Sequence, residues 1–363
     1  MRPYIPGKPI EETRREYNLK KIIKLASNEN PLGPSPKALV AIVDSLRELH
    51  RYPDGSCYEL KQALAQHLNT VPSSLFIGNG SNEIIDLIIR AFCIPGDFIL
   101  TAQAAFIVYK LCAQIHGAKT IEIPISDQFQ FDLMAMVEQI KQNDKIKIVF
   151  LANPNNPTGT FFDHLEIRKF LTEVSKVRQG AVLVVIDAAY IEYLTHDNAS
   201  DPTLLFKEFT NLIVLRTFSK IYGLAGLRIG YAVGKEELLS TLEKVRQPFN
   251  VNTLAVIAAT HALKDQEFVK NSKEINTQGR LFWEKNFVNH GITFWKTQGN
   301  FVLVNTQKSF GKSGAEVYLE CLKHGIIFRP LANYGLNHAL RISIGLPEEN
   351  QVALDILMSQ KDG

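Results

Sequence analysis

Cysteine is scarce in this chain. Cys57, Cys93, Cys112 and Cys321 stand far apart among 363 residues and form no C-x-x-C pair. That spacing argues against a redox pair and for four small apolar core residues, which fits a reducing compartment. No stretch approaches the ~20 consecutive apolar residues of a membrane-spanning helix. The first ten residues carry three prolines and lack the apolar segment of a signal peptide, so the expected location is the cytoplasm. Charge of one sign is also missing. The net charge of +3 is spread without a basic run, which excludes the electrostatic footprint of a nucleic-acid or membrane-surface binder. Internal repeats and low-complexity tracts are absent.

What is present is a hydrophobic content of 45% over a length that suggests roughly two domains. Short apolar runs rich in β-branched residues recur at 75–77, 98–100, 120–123, 146–151, 182–187, 212–217 and 229–233. Between several of them the apolar spacing changes to threes and fours, as in Glu83, Ile84, Leu87, Ile88 and Ala91, or Leu165, Ile167, Phe170, Leu171 and Val174. This alternation predicts an α/β fold with a mainly parallel sheet flanked by helices. After about residue 265 a long polar helical stretch leads to short strands at 301–304, 325–328 and 340–344, with a helix between the first two, as in a smaller α+β domain. Residues 24–36, dense in turn formers, read as an irregular crossing strand before a helix over 37–49. The expected organisation is an N-terminal arm and crossing segment belonging to the small domain (1–48), a large domain (49–265) and a small C-terminal domain (266–363).

Four constellations carry chemistry. Thr217-Phe218-Ser219-Lys220 follows an apolar run and precedes a Gly-rich frame ending in Arg228. A lysine just past a parallel strand lies where open α/β sheets bind ligands. Its amine can form a Schiff base if burial or nearby positive charge lowers its pKa. Hydroxyls at Thr217 and Ser219 with the Arg228 guanidinium suit a phosphate. Asp187 ends a second strand, where it serves either as a turn residue or as the partner of a protonated ring nitrogen, with Tyr190 three residues on. The run from Asn153 to Gly159 is first a turn, yet it also ends a strand and offers the Asn156 amide to an oxyanion; one of its Asn-Pro bonds is a candidate cis bond. Gly78-Asn79-Gly80-Ser81-Asn82-Glu83 joins a strand to a helix and exposes backbone N–H groups at a helix start, a phosphate cradle or a plain connection.

In this order and at these distances the four elements resemble the site of fold type I enzymes dependent on pyridoxal 5'-phosphate, and in detail the histidinol-phosphate aminotransferase family. Supporting strings are Y-I-P-G-K-P-I-E-E from Tyr4, L-A-S-N-E-N-P-L-G-P-S-P from Leu25, R-Y-P-D-G from Arg51 and R-I-S-I-G from Arg341; the likeness runs from about residue 4 to 350. The resemblance implies a large domain with a mainly parallel seven-stranded sheet, and Lys220 as the Schiff-base lysine and proton carrier. It implies Asp187 as the pyridinium partner and Asn156 with Tyr190 as donors to the ring oxygen. Ser81, Asn82, Glu83, Thr217, Ser219 and Arg228 would hold the phosphate, and Phe106 would stack on the ring. Tyr52 would reach the neighbouring subunit's cofactor, making a homodimer with shared sites. Arg341 would grip a substrate carboxylate and Arg329 a substrate phosphate, with Tyr4 and Asn28 lining that pocket.

The implied reaction is transamination between L-histidinol phosphate and 2-oxoglutarate in histidine biosynthesis, with small-molecule substrates and neither nucleic acid nor membrane as partner. An aromatic amino-acid aminotransferase, a phospho-amino-acid decarboxylase and a non-catalytic regulator share parts of the same frame; retention of Lys220 argues against the last. Two departures bear on the pocket. The family often shows D-E-A-Y where this chain has Asp187-Ala188, and P-T before the stacking aromatic where it has Ala104-Ala105.

Overall fold

The structure, a computed structural model, describes residues 7–196 and 201–361. Strand β1 (Ile23–Lys24) lies in the crossing segment. Strands β2 (Leu75–Gly78), β3 (Phe98–Ala102), β4 (Lys119–Ile123), β5 (Ile146–Ala152), β6 (Leu183–Asp187), β7 (Leu212–Thr217) and β8 (Gly230–Gly234) coincide with the seven apolar runs to within a residue or two. They form one sheet in the order β2-β8-β7-β6-β5-β3-β4. All neighbours are parallel except β8, which runs antiparallel to both β2 and β7.

The central strands are mainly apolar, Lys147 of β5 and Arg216 of β7 apart, because both sheet faces are covered, as parallel sheets require. Successive residues point to opposite faces. Val184 and Val214 join a core with Ile167, Phe170 and Leu171 of helix His164–Lys176. Val185 and Leu215 join the opposite core with Ile84, Ile85 and Ile88 of helix Gly80–Phe92. Helix His164–Lys176 is started by a capping box in which Asp163 and Glu166 each accept the other's backbone N–H.

Beyond the sheet, β9 (Phe294–Trp295), β10 (Phe301–Asn305), β11 (Ile326–Ile327), β12 (Arg329–Leu331) and β13 (Leu336–Ser343) complete the strands among the described residues. A four-stranded sheet runs β12-β13-β10-β9, and β11 pairs in parallel with β1. Trp283 and Phe287, from the long helix Gln266–Asn289, pack against this sheet with Val302, Val304 and Ile342. Two details differ from expectation. The apolar run at 325–328 divides between two sheets, since the chain leaves β1 at Ile327 and joins β13 at Arg329. Strand β13 starts four residues early, because its first turn-proximal half carries Asn337 and His338 at a partly exposed rim where no alternation marks it. The helix expected over 37–49 runs Pro36–Ser45, opened by Pro36, and continues as a 3-10 turn over Leu46–Glu48. It packs on helix Thr253–Leu263, Ala38 sharing a core with Ala255 and Ala258.

The crossing segment is tied down on both sides. The Asn30 amide donates to the Ile221 carbonyl at 2.7 Å and to Ser272 at 2.9 Å, and Ser35 donates to Asp265 at 2.7 Å. Gly223, at φ +70°, brings its backbone so close that an added Cβ would lie 1.9 Å from the Gly33 carbonyl oxygen. The segment is therefore held against the loop that carries Lys220. Among the described residues no helix is long and apolar enough to cross a membrane, and no group of side chains could hold a metal ion.

Candidate active site

Register places three loops at one edge of the sheet. Ala152 at the end of β5 pairs with Asp187 at the end of β6, and Asp187 pairs with Leu215 two residues before the end of β7. The turns that follow these strands, the start of helix Gly80–Phe92 and the ends of β12 and β13 surround a cavity of about 220 Å³. Ligands in open α/β sheets are expected at this carboxyl edge.

Lys220 lines the cavity. Its ammonium donates to the Ser27 carbonyl at 3.2 Å and lies 5.6 Å from the centre of the Tyr190 ring. Burial pushes the amine pKa down to about 8, helped by the Arg341 and Arg228 guanidiniums and opposed by Glu29 and Asp187. A sizeable fraction is thus a neutral nucleophile near physiological pH.

One end of the cavity is an anion cradle. Ser81 and Asn82, at the first turn of their helix, line it together with Thr217, Ser219 and Arg228. The first N–H groups of a helix have no intrahelical acceptor and point outward at its positive end. Close approach of backbone makes the cradle. A Cβ on Gly230 would lie 2.8 Å from the Ser81 nitrogen, and one on Gly80, at φ +78°, would lie 2.7 Å from Arg228 Nη2. Arg228 is itself left-handed at φ +56° and is steadied by the Ala225 carbonyl at 2.9 Å. Glu83 does not reach the cavity. Its carboxylate accepts from the Asn79 backbone N–H at 2.6 Å and from the Asn250 amide at 2.7 Å, closing the turn before the helix.

On the neighbouring strand β6, Asp187 is buried, 6% exposed. Burial raises its pKa, while a hydrogen bond from Tyr109, one from the Ala189 backbone and the charge of Lys220 work the other way. Tyr190 accepts from the Asn28 amide at 3.0 Å, and burial pushes its phenol up to about 12, so it stays a neutral donor. Asn28 in turn exchanges hydrogen bonds with Ser343 of β13 at 2.8 and 2.9 Å. The turn carrying Asn156 is pinned by Asn153, whose side chain makes both a donor and an acceptor bond to the Phe162 backbone. Both Asn153-Pro154 and Asn156-Pro157 are cis, where only one such bond was expected.

The small sheet contributes two guanidiniums. Arg329 of β12 and Arg341 of β13 are directly opposed in register, and both line the cavity. Directly opposed residues of neighbouring strands point to the same sheet face, so both guanidiniums are directed to one side of the small sheet. Arg341 is buried, donating to the Ala26 carbonyl at 2.7 Å and to Asn156 Oδ1, with its guanidinium 5.4 Å from the Phe301 ring centre.

The remaining expected residues divide. Phe106 lines the cavity beside Tyr334. Tyr52 does not; it is 84% exposed and stacks on Phe249 at 4.9 Å. Tyr4 lies outside the described residues. The two departures in sequence leave the cavity wall untouched: Ala188 is buried with Leu212 and Val214, and Ala104 and Ala105 face a neighbouring cleft of about 950 Å³. Tyr109, in the first turn of helix Val108–Ile115, is a residue not singled out from the sequence.

The family model for aminotransferase class I and II matches residues 20–357. Histidinol-phosphate aminotransferase 2 of Hydrogenovibrio crunogenus is 48% identical over 349 residues, covering 96% of this chain and 91% of the relative. The histidinol-phosphate aminotransferase of an Anaeromyxobacter species is 43% identical, covering 98% and 95%. The crystal structure of the Sinorhizobium meliloti histidinol-phosphate aminotransferase in complex with pyridoxal-5'-phosphate superposes with a TM-score of 0.87 at 27% identity, covering 97% of this chain and 95% of that one. With a lysine, an aspartate and an anion cradle at the carboxyl edge of the sheet and with relatives of this coverage, the chain belongs to the class I and II aminotransferases, in their histidinol-phosphate aminotransferase group.

Proposed function

We propose that this chain is a pyridoxal 5'-phosphate dependent transaminase that moves an amino group between L-histidinol phosphate and 2-oxoglutarate. One observation carries the reading: a half-buried lysine of lowered pKa lines one cavity with an anion cradle, a buried carboxylate and two arginines opposed in register.

The residues present fit the cofactor. The glycine-backed cradle of Ser81, Asn82, Thr217, Ser219 and Arg228 suits its phosphate, Asp187 its ring nitrogen, Asn156 and Tyr190 its ring oxygen, and Phe106 its ring face. When bound, pyridoxal phosphate supplies an aldehyde that condenses with amines and a protonated ring that accepts electrons. Lys220 Nζ, neutral in part because of its burial, takes the proton from the substrate Cα and returns it as a general acid. Asp187 would pair with the protonated ring nitrogen. Arg341 binds the carboxylate of glutamate or 2-oxoglutarate bidentately, and Arg329 binds the phosphate of histidinol phosphate. Two guanidiniums in facing strands suit alternate substrates that each bring an anion but not the same one.

The same reading makes the protein a cytoplasmic homodimer. Free cysteines throughout, and an exposed Tyr52 stacked on Phe249 where a second subunit's site would be met, support it.

The test is chemical. Protein saturated with pyridoxal phosphate and treated with borohydride should carry a mass adduct on Lys220, lost in Lys220→Ala. Histidinol phosphate should discharge the cofactor's absorbance faster than phenylalanine does. No adduct at Lys220 would overturn the cofactor reading, and preference for phenylalanine would overturn the substrate.

A further inference from the structure

The carboxylate of Asp187 has a protein donor on each oxygen. The Tyr109 phenol donates to Oδ2 at 2.8 Å, and the Ala189 backbone N–H donates to Oδ1 at 3.2 Å. An ionised carboxylate offers about four acceptor sites, so two remain for a ring nitrogen. Tyr109 comes from helix Val108–Ile115, 78 residues away in sequence, and nothing in the local chain near Asp187 requires it.

Its placement is rigid. Tyr109 is fully buried, stacks on Phe150 of β5 with ring centres 4.6 Å apart and planes within 9°, and meets Phe106 edge-on at 5.7 Å. Phe150 lies in register with Val185, two residues before Asp187. The sheet face thus fixes the ring, and the ring aims its hydroxyl at the carboxylate. Phe106, the ring-face candidate, and Asp187, the ring-nitrogen candidate, are bridged by this one side chain.

We propose that Tyr109 is the positioning residue of the site, its hydroxyl orienting the Asp187 carboxylate and holding it ionised toward the cofactor's ring nitrogen. This rests on the cofactor reading above. A phenol that never ionises is a donor at every working pH, and burial together with the Asp187 charge keeps the Tyr109 proton on. A hydrogen bond to a charged acceptor stabilises the charged form, here against the burial that opposes it. The other groups that act on the pair are Lys220 after β7, Tyr190 after β6 and Tyr334 before β13. Of these only Lys220 favours the ionised carboxylate, and it cannot do so once its own amine is neutral.

Tyr109→Phe keeps both ring contacts and removes only the hydroxyl. In the cofactor-free protein, the infrared band of the protonated Asp187 carboxyl, assigned by its absence in Asp187→Asn, should persist to higher pH in Tyr109→Phe than in the native chain. Pyridoxamine 5'-phosphate, which binds without a covalent bond, should bind about tenfold more weakly to Tyr109→Phe, the size expected of one charged hydrogen bond. In an Asp187→Asn background the same substitution should change its affinity less than about twofold. An unshifted carboxyl titration, or equal losses in both backgrounds, overturns the proposal. Failure of the native chain to bind pyridoxamine phosphate at all would instead sink the cofactor reading.

Discussion

At the scale of single residues, function here depends on which groups are brought out of water together. Lys220 is legible in sequence because its supporting groups, Thr217, Ser219 and Arg228, lie within eight residues of it and share its loop. Glu83 stands in the same string as Ser81 and Asn82, but its carboxylate is taken by Asn79 and Asn250 and closes the turn. Tyr109 was invisible because its role is a contact with a distant strand. Arg341 offers a sharp test of how the two anions are shared. Histidinol phosphate has no carboxylate, so Arg341→Ala should lower kcat/KM for glutamate by about 100-fold or more, the loss expected when one partner of a buried charge pair is removed. The loss for histidinol phosphate should be less than tenfold, arising only from the freed Asn156 and Ala26 contacts. Stopped-flow half-reactions with each donor measure the two separately, and equal losses would assign Arg341 to both.

At the scale of elements, the buried strands were readable and the rim strands were not. Strands β5, β6 and β7 are mainly apolar because both faces are covered, so their apolar runs mark them. The small sheet gives no such signal. Leu336 to Ala339 runs buried, exposed, half-buried, buried, without alternation, and the division between β11 and β12 falls inside one apolar run, decided by which neighbouring strand each half can pair with. That division turns Arg329 to face Arg341, so it matters to function. The turn into helix Gly80–Phe92 makes a second prediction. Gly80 needs a positive φ, which costs a residue with a side chain about 1–2 kcal/mol, and an added methyl would displace the Arg228 guanidinium. Because an arginine end can move where backbone cannot, Gly80→Ala should fold with a modest loss of thermal stability. It should weaken binding of pyridoxamine phosphate much more than binding of its dephosphorylated form, measured by fluorescence titration. Equal weakening of both would show that the cradle does not read the phosphate.

At the scale of the whole molecule, the single chain leaves apolar side chains exposed on one helix and its neighbouring segments. Leu39, Val40 and Val43 on helix Pro36–Ser45 are about half to two-thirds exposed, and Tyr52, Tyr58 and Phe249 follow with comparable or greater exposure. Ala38 and Ala41 of that helix are buried and Ile42 packs on the same core, while Leu39, Val40 and Val43 point to solvent in the single chain. Scattered exposed leucines need no explanation, but three large apolar residues grouped on the outer face of one helix read as part of an interface. The proposed homodimer supplies the cover: a second copy would bury this face and bring Tyr52 within reach of a neighbouring anion cradle. Val40→Lys together with Val43→Lys places two like charges on the face without touching the cavity or either core. Sedimentation should then shift from dimer toward monomer, and transaminase activity should fall with the dimer fraction and recover as protein concentration is raised. Circular dichroism should stay unchanged. A double variant that remains dimeric would place the subunit contact on another face, and one that becomes monomeric while keeping full activity would show that Tyr52 serves no neighbouring site.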